Sequence, residues 1–254
     1  MLRCGQRFLP GVNAVIFDKD GTLADSRQFL IKLAQARSQR CADVVPRGSH
    51  SARTSPGDLV MDLLAMFGIT DTAMNPDGLM AAGTRQSNIE AAVQVLRRAG
   101  IPANEALEAW VSEQFDLADR DLIPKARHTP PFPGTGAMLQ RLKQGGLKIG
   151  VLSSDGGANV AEFLRHHHLM TWVDDWQGTE AHEPPKPAPD LLYRLGQRMG
   201  VEVAHTVIVG DSWADHALAQ NAGIPFISVS DAWGRPPIAG ADFVLHTWDD
   251  LRTA

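Results

Sequence analysis

The segment Asp18-Lys19-Asp20-Gly21-Thr22 places two carboxylates with one residue between them, and Gly21 lets the chain turn sharply and bring backbone groups close to a ligand. A carboxylate can attack phosphorus to give an acyl phosphate, which divides one difficult hydrolysis into two easier displacements. Asp18 is the candidate nucleophile. Asp20 is the candidate acid/base, protonating the leaving oxygen and later taking a proton from water. Three later segments carry groups suited to the same chemistry. Ser153, followed by Ser154 and by Gly156-Gly157, can donate hydroxyl and amide hydrogens to a phosphate oxygen near a helix start. Lys186, among Pro184, Pro185, Pro187 and Pro189, can set a positive charge against the phosphate and the Asp18 carboxylate. Asp211 and Asp215 are four residues apart, one at a strand end and one in the first turn of a helix, so both can face one site. Hard oxygen donors with room for water suit Mg2+, whose charge offsets the repulsion between an anionic nucleophile and an anionic substrate. Asp215 fits a second role equally well, as a helix N-terminal acid favoured by the dipole.

These side chains need strand ends to hold them. Residues 12–17 (VNAVIF) stop abruptly at Asp18, 147–152 (LKIGVL) stop at Ser153, and 206–209 stop before Gly210-Asp211. Short apolar, β-branched runs of this kind are the mark of strands buried on both faces of a parallel sheet. Between them lie helical patterns, with Met138, Leu139 and Leu142, then Leu191, Leu192 and Leu195, then Ala217, Leu218 and Ala222. Residues 225–229 and 242–245 are two further apolar runs that extend the sheet or flank it. The alternation predicts an α/β fold with a doubly wound, mainly parallel sheet. From about 25 to 130 that rhythm breaks: helical stretches are expected at 26–41, 57–67, 86–99 and 104–119, with no strand between them. We therefore expect a helical insertion, 26–129, within a core of 1–25 and 130–254. Asp25-Ser26 can cap its first helix, the Pro-rich 129–134 returns the chain to the sheet, and 44–50 (VVPRGSH) reads as a loop. The insertion begins at the carboxyl end of the first strand, where sheets of this class bind ligands, so it reads as a lid.

The run 15–26 (VIFDKDGTLADS) resembles the first motif of the haloacid dehalogenase superfamily. Ser153, then Lys186 within 183–190 (EPPKPAPD), then 210–215 (GDSWAD) look like its second, third and fourth motifs, in order. The motifs and intervening helices cover the core, whereas the insertion matches only in position and helical character. The resemblance implies a Rossmann-like core with the helical cap of the phosphoglycolate phosphatase-like branch, acting on a small phosphorylated metabolite. It further implies that Asp18, the backbone carbonyl of Asp20 and the Asp211 carboxylate bind Mg2+ directly, that Asp215 orients its water shell, and that Ser153, Ser154 and Lys186 hold the phosphate. Dehalogenases attack carbon and usually lack an aspartate at position 20, so phosphoryl transfer is expected instead. A phosphomutase of the β-phosphoglucomutase type is the alternative enzyme, and a phosphate-binding protein without turnover is the alternative of another class. A phosphonatase needs a lysine in the insertion to form a Schiff base, where Lys32 and Lys125 stand in no such context.

The remaining composition narrows the setting. With 254 residues, 44% hydrophobic and 21% charged, and a net charge of -5, the chain is an ordinary globular protein with nothing to recruit nucleic acid. No run of 18 apolar residues occurs, and the N-terminus has no leader-like apolar stretch, so a cytoplasmic protein without membrane contact is expected, as a monomer or homodimer. Cys4 and Cys41 lack metal-ligand spacing and read as inert thiols. His166, His167 and His168 are consecutive near a helix end, where they splay around the axis instead of converging on a metal. Lys19, directly after the nucleophile, is expected to point away from the phosphate. Arg85, Gln86 and Asn88 are placed to read a substrate, but exposed helix-face positions are the commoner reading for such residues.

Overall fold

The computed structural model describes residues 1–43, 55–70, 73–102, 105–230 and 236–253. They form two compact units, one made of Met1–Ser26 with Lys125–Ala254 and the other of Arg27–Pro124. In chain order the elements begin with β1 (Leu2–Cys4), β2 (Arg7–Leu9) and β3 (Ala14–Phe17). The helical unit follows with α1 (Arg27–Ala42), α2 (Pro56–Phe67), β4 (Ile69–Thr70), β5 (Ala73–Met74), α3 (Leu79–Ala82), α4 (Arg85–Arg98) and α5 (Glu105–Arg120). The chain then returns through α6 (Thr135–Gln144), β6 (Lys148–Leu152), α7 (Gly157–His166), β7 (Asp175–Gln177), α8 (Asp190–Met199) and β8 (Thr206–Gly210). It ends with α9 (Trp213–Ala222), β9 (Phe226–Val229), β10 (Phe243–Leu245) and β11 (Leu251–Thr253).

The main sheet has six strands in the order β10-β9-β8-β3-β6-β7, all parallel. β3 shows why its sequence carries no polar alternation: all four residues are buried, because both faces of the strand are covered. Val15 and Phe17 pack with Met138, Leu139, Val160 and Phe163 of α6 and α7. Ala14 and Ile16 pack with Leu191, Leu195 and Leu218 of α8 and α9 on the other face. Burying such a side chain stabilises the fold by about 1.5–3 kcal/mol. β1, β2 and β11 form a separate antiparallel sheet in the order β11-β1-β2, which the sequence reading did not anticipate. It also missed β7, whose residues Asp175-Trp176-Gln177 are only partly buried at the sheet edge. Three-residue strands are too short to display a period.

The helical unit is built round Phe29, Leu33, Leu59, Leu63, Phe67, Leu96, Val111 and Phe115. Local signals set the ends of α2: the Ser55 hydroxyl accepts from the Asp58 amide at 3.2 Å, Pro56 occupies the first turn, and Gly68 closes the helix at φ 81°. Arg37 donates to both oxygens of Asp119, at 2.9 and 2.8 Å, and lies over the Phe115 ring. The two-residue pair β4 and β5 was not foreseen. Residues 44–50, expected as a loop, lie outside the described residues. No helix among the described residues is long and apolar enough to cross a membrane.

The chain leaves the α/β unit after Ser26 and re-enters at Lys125, so residues 125–129, placed in the insertion by the sequence reading, pack instead with the α/β unit. They form a 3₁₀ turn, Lys125–His128, next to α7. His167 Nε2 lies 3.0 Å from the carbonyl oxygens of both Ala126 and Thr129, and two acceptors require that nitrogen to carry the proton. This contact gives the middle histidine of the run a structural function.

Candidate active site

Register gathers the motif residues at one end of the sheet. Phe17 is level with Val151 on β6 and with Val209 on β8, so Asp18 sits one residue past the shared level, and Ser153 and Asp211 sit two past it. The Asp18 amide donates to the Val209 carbonyl at 2.9 Å, and the chain then turns tightly. The Lys19 carbonyl accepts from the amides of Thr22, Leu23 and Ala24 within that turn. Gly21 adopts φ +90°, and a Cβ there would overlap the Asp211 carboxylate, so both conformation and space demand glycine. Thr22 donates from its hydroxyl to Asp211 Oδ1 at 3.2 Å, tying the first motif to the fourth.

Lys186 Nζ lies 2.6 Å from Asp18 Oδ1 and 2.7 Å from Asp215 Oδ1, and its side chain is 4% exposed. Its loop is held in part by Asn221, whose side-chain amide donates to the Pro187 carbonyl. Asp215 serves two partners. Its Oδ2 accepts from the Ser212 amide and hydroxyl in a capping box at the start of α9, while Oδ1 faces Lys186. The helix-cap role and the site role thus fall on separate oxygens of one carboxylate. Carboxylate oxygens of Asp18, Asp211 and Asp215 all lie within 4.8 Å of one another, and all three residues are buried. Three hard anionic donors this close together fit a divalent cation by charge and by donor type.

Burial pushes the Asp18 carboxyl up from 3.8 to about 7, against the pull of the Lys186 ammonium and with help from Asp215. Burial would likewise raise Asp20, but the ammonium groups of Lys125 and Lys19 override it and hold that carboxyl well below the usual range. Burial opposes the charge of Lys186, yet Asp18 and Asp215 raise its pKa above the ordinary lysine value. The two motif carboxylates are therefore set apart, Asp18 by burial and Asp20 by its lysines, one inclined to hold a proton and one to give it up.

The other expected site residues fall as follows. Ser153 is buried and its hydroxyl accepts from the Asp155 amide at 3.1 Å, whereas Ser154 is exposed. Asp20 turns its carboxylate away from the three-carboxylate cluster: Oδ1 accepts from the Ser26 hydroxyl, and Oδ2 from Lys19 at 2.6 Å and Lys125 at 3.2 Å. Lys19 is fully buried and directs its ammonium to Asp20 and Asp155. Lys125 also pairs with Asp155, and its two carboxylate neighbours raise its pKa against the effect of burial. A Schiff-base lysine must be neutral to react, so this setting opposes that use of Lys125. Sequence reasoning missed Lys125 and Asp155 as neighbours of the site, because neither lies on a strand end or in a periodic pattern. Trp213 is exposed at the start of α9, its ring centroid 5.6 Å from that of His216.

A family model described as haloacid dehalogenase-like hydrolase matches residues 12–223. The chain belongs to that family. Among curated relatives, this hydrolase is 31% identical over 178 residues to the phosphoglycolate phosphatase of Rhodospirillum rubrum, covering 64% of this chain and 73% of that one. It is 26% identical to the phosphoglycolate phosphatase of Caulobacter vibrioides over 94% of this chain and 89% of that one. Its fold is shared with a predicted phosphoglycolate phosphatase from Haemophilus somnus, with a TM-score of 0.67, 20% identity and coverage of 96% and 97% of the two chains. This haloacid dehalogenase-like enzyme is a hydrolase of the phosphatase kind.

Proposed function

We propose that this hydrolase cleaves small phosphate monoesters through an aspartyl-phosphate on Asp18, with phosphoglycolate as the foremost substrate. The observation that carries the reading is the convergence on Asp18 of one buried cation and two further buried carboxylates, at the carboxyl end of a central strand. The phosphoglycolate phosphatases among the relatives support the choice of substrate.

An Asp18 oxygen attacks phosphorus as the bond to the substrate alcohol oxygen breaks, and Asp20 gives that oxygen its proton. Water then attacks the phosphorus of the acyl phosphate, Asp20 takes a proton from it, and inorganic phosphate leaves with Asp18 restored. Lys186 neutralises part of the charge that the nucleophile and the phosphoryl oxygens bring together. Ser153, with Ser154 beside it, donates to a phosphoryl oxygen. Asp20 stands ionised beside its lysines, the form that the second step needs, and a phosphoryl dianion brought next to it raises its proton affinity for the first. Asp18, the Asp20 carbonyl and Asp211 would hold Mg2+, with Asp215 orienting its waters. Bound there, the ion supplies positive charge that keeps Asp18 ionised at neutral pH and offsets the charge of the phosphoryl group.

The test is phosphate release from a panel of monoesters that includes phosphoglycolate, with Mg2+ and with EDTA. Metal-dependent turnover led by phosphoglycolate is expected. Release that ignores the metal, or full activity in Asp18→Asn, would overturn the mechanism, and preference for another monoester would overturn the substrate.

A further inference from the structure

Lys125 has no step in this chemistry, yet its side chain reaches the site. Its Nζ lies 2.5 Å from Asp155 Oδ2 and 3.2 Å from Asp20 Oδ2, while Lys19 Nζ lies 3.1 and 2.6 Å from the same two oxygens. Two ammonium groups and two carboxylate oxygens thus alternate round a closed square. Every member is anchored elsewhere. Asp155 Oδ1 accepts from the Gly156 amide and from Asn159, and the Asp155 amide donates to Ser153 Oγ. Lys19 is part of the turn after β3, and Lys125 opens the 3₁₀ turn that His167 pins. Ser26 occupies the remaining oxygen of Asp20.

The square carries two positive and two negative charges, so it has no surplus cation with which to attract an anionic substrate. What it offers is orientation: a carboxylate with both oxygens engaged is held at one angle. Exposed lysine pairs do little of this kind, but here Lys19 is 1% and Lys125 18% exposed. Breaking one side of a buried network leaves its carboxylates to repel one another.

We propose that Lys125, braced by Asp155, is a positioning residue that sets the Asp20 carboxylate for proton transfer to the leaving-group oxygen. The inference rests on the acid/base role given to Asp20 above. A leaving-group comparison tests it. The 4-nitrophenolate ion leaves without a proton, whereas the alkoxide of glycolate needs one, so misplacing the acid penalises phosphoglycolate selectively.

The measurement is kcat and KM for phosphoglycolate and 4-nitrophenyl phosphate in wild type, Lys125→Met, Lys125→Arg, Asp20→Asn and the Asp20→Asn/Lys125→Met double variant, all with Mg2+. The expected result in Lys125→Met is a fall of about tenfold or more in the ratio of the two kcat/KM values, phosphoglycolate over 4-nitrophenyl phosphate; kcat/KM ends at acyl-phosphate formation and leaves out the hydrolysis step that Asp20 serves for both substrates. Lys125→Arg restores most of the ratio, and Lys125→Met adds nothing to it once Asp20 is asparagine. If Asp20→Asn lowers the ratio and Lys125→Met does not, the positioning role is wrong and the acid/base reading stands. If Asp20→Asn leaves the ratio unchanged, the acid/base reading fails and the inference falls with it. Should Lys125→Met fail to fold, Asp155→Asn opens the same square from its other side, and an unchanged ratio there overturns the proposal.

Discussion

Replacing Asp18 by asparagine should favour the metal-free protein over wild type increasingly as pH rises. Asp18 is raised from 3.8 to about 7, chiefly by burial. Between those values the folded state binds a proton that the unfolded state has released, so stability falls as pH rises through the window and levels off above it. Each pH unit costs about 1.4 kcal/mol. At pH 5 the folded protein bears only the first part of that cost, and by pH 8 it bears nearly all of it. Asp18→Asn has the same shape and no charge to desolvate, so its stability relative to wild type should be about 3 kcal/mol more favourable at pH 8 than at pH 5. Taking the difference between pH values cancels whatever constant term the amide brings. The assay is urea denaturation of both proteins in EDTA at the two pH values. Parallel pH dependence, or a variant that loses ground at pH 8, would show that the Asp18 carboxyl is not held against its charge and would refute the electrostatic account.

Lys186→Met should lower kcat by at least about 100-fold and destabilise the metal-free protein by about 3–5 kcal/mol, because it leaves Asp18 and Asp215 facing each other without their shared cation; kinetics and thermal melts in EDTA read both. Gly21→Ala forces a left-handed backbone and a Cβ into the Asp211 carboxylate, so turnover should fall by about tenfold or more and stability by about 1–3 kcal/mol, read by kinetics and urea melts. In the helical unit, Phe115→Ala removes a fully buried ring packed beside Phe67, and should cost about 3–5 kcal/mol, with limited proteolysis cutting first within residues 27–124.

The central strands were legible because burial on both faces leaves an unbroken apolar run that stops where polar chemistry begins, as at Phe17-Asp18 and Leu152-Ser153. The longer helices of the insertion were legible too: stretches expected at 26–41, 57–67, 86–99 and 104–119 correspond to α1, α2, α4 and α5. What stayed hidden depends on distance in sequence. β1, β2 and β11 are three residues each; β1 and β2 form a short hairpin, and β11 pairs with β1 across nearly the whole sequence, Leu2 opposite Thr253. Lys125 is 105 residues from Asp20 and 30 from Asp155, and a lone lysine in a short turn carries no mark of the carboxylates it will meet. Asp215 was ambiguous for a physical reason, since helix capping and site electrostatics both ask for an acid there, and the folded chain uses one oxygen for each.

Rapid acid quench of the enzyme mixed with phosphoglycolate and Mg2+, followed by mass spectrometry of its peptides, tests whether Asp18 is the group that takes the phosphoryl. The account predicts a phosphoryl group on Asp18 that is labile to base and to hydroxylamine, and none in Asp18→Asn. Steady turnover with the label on another residue, or with no label trapped on the protein at any quench time, would contradict it.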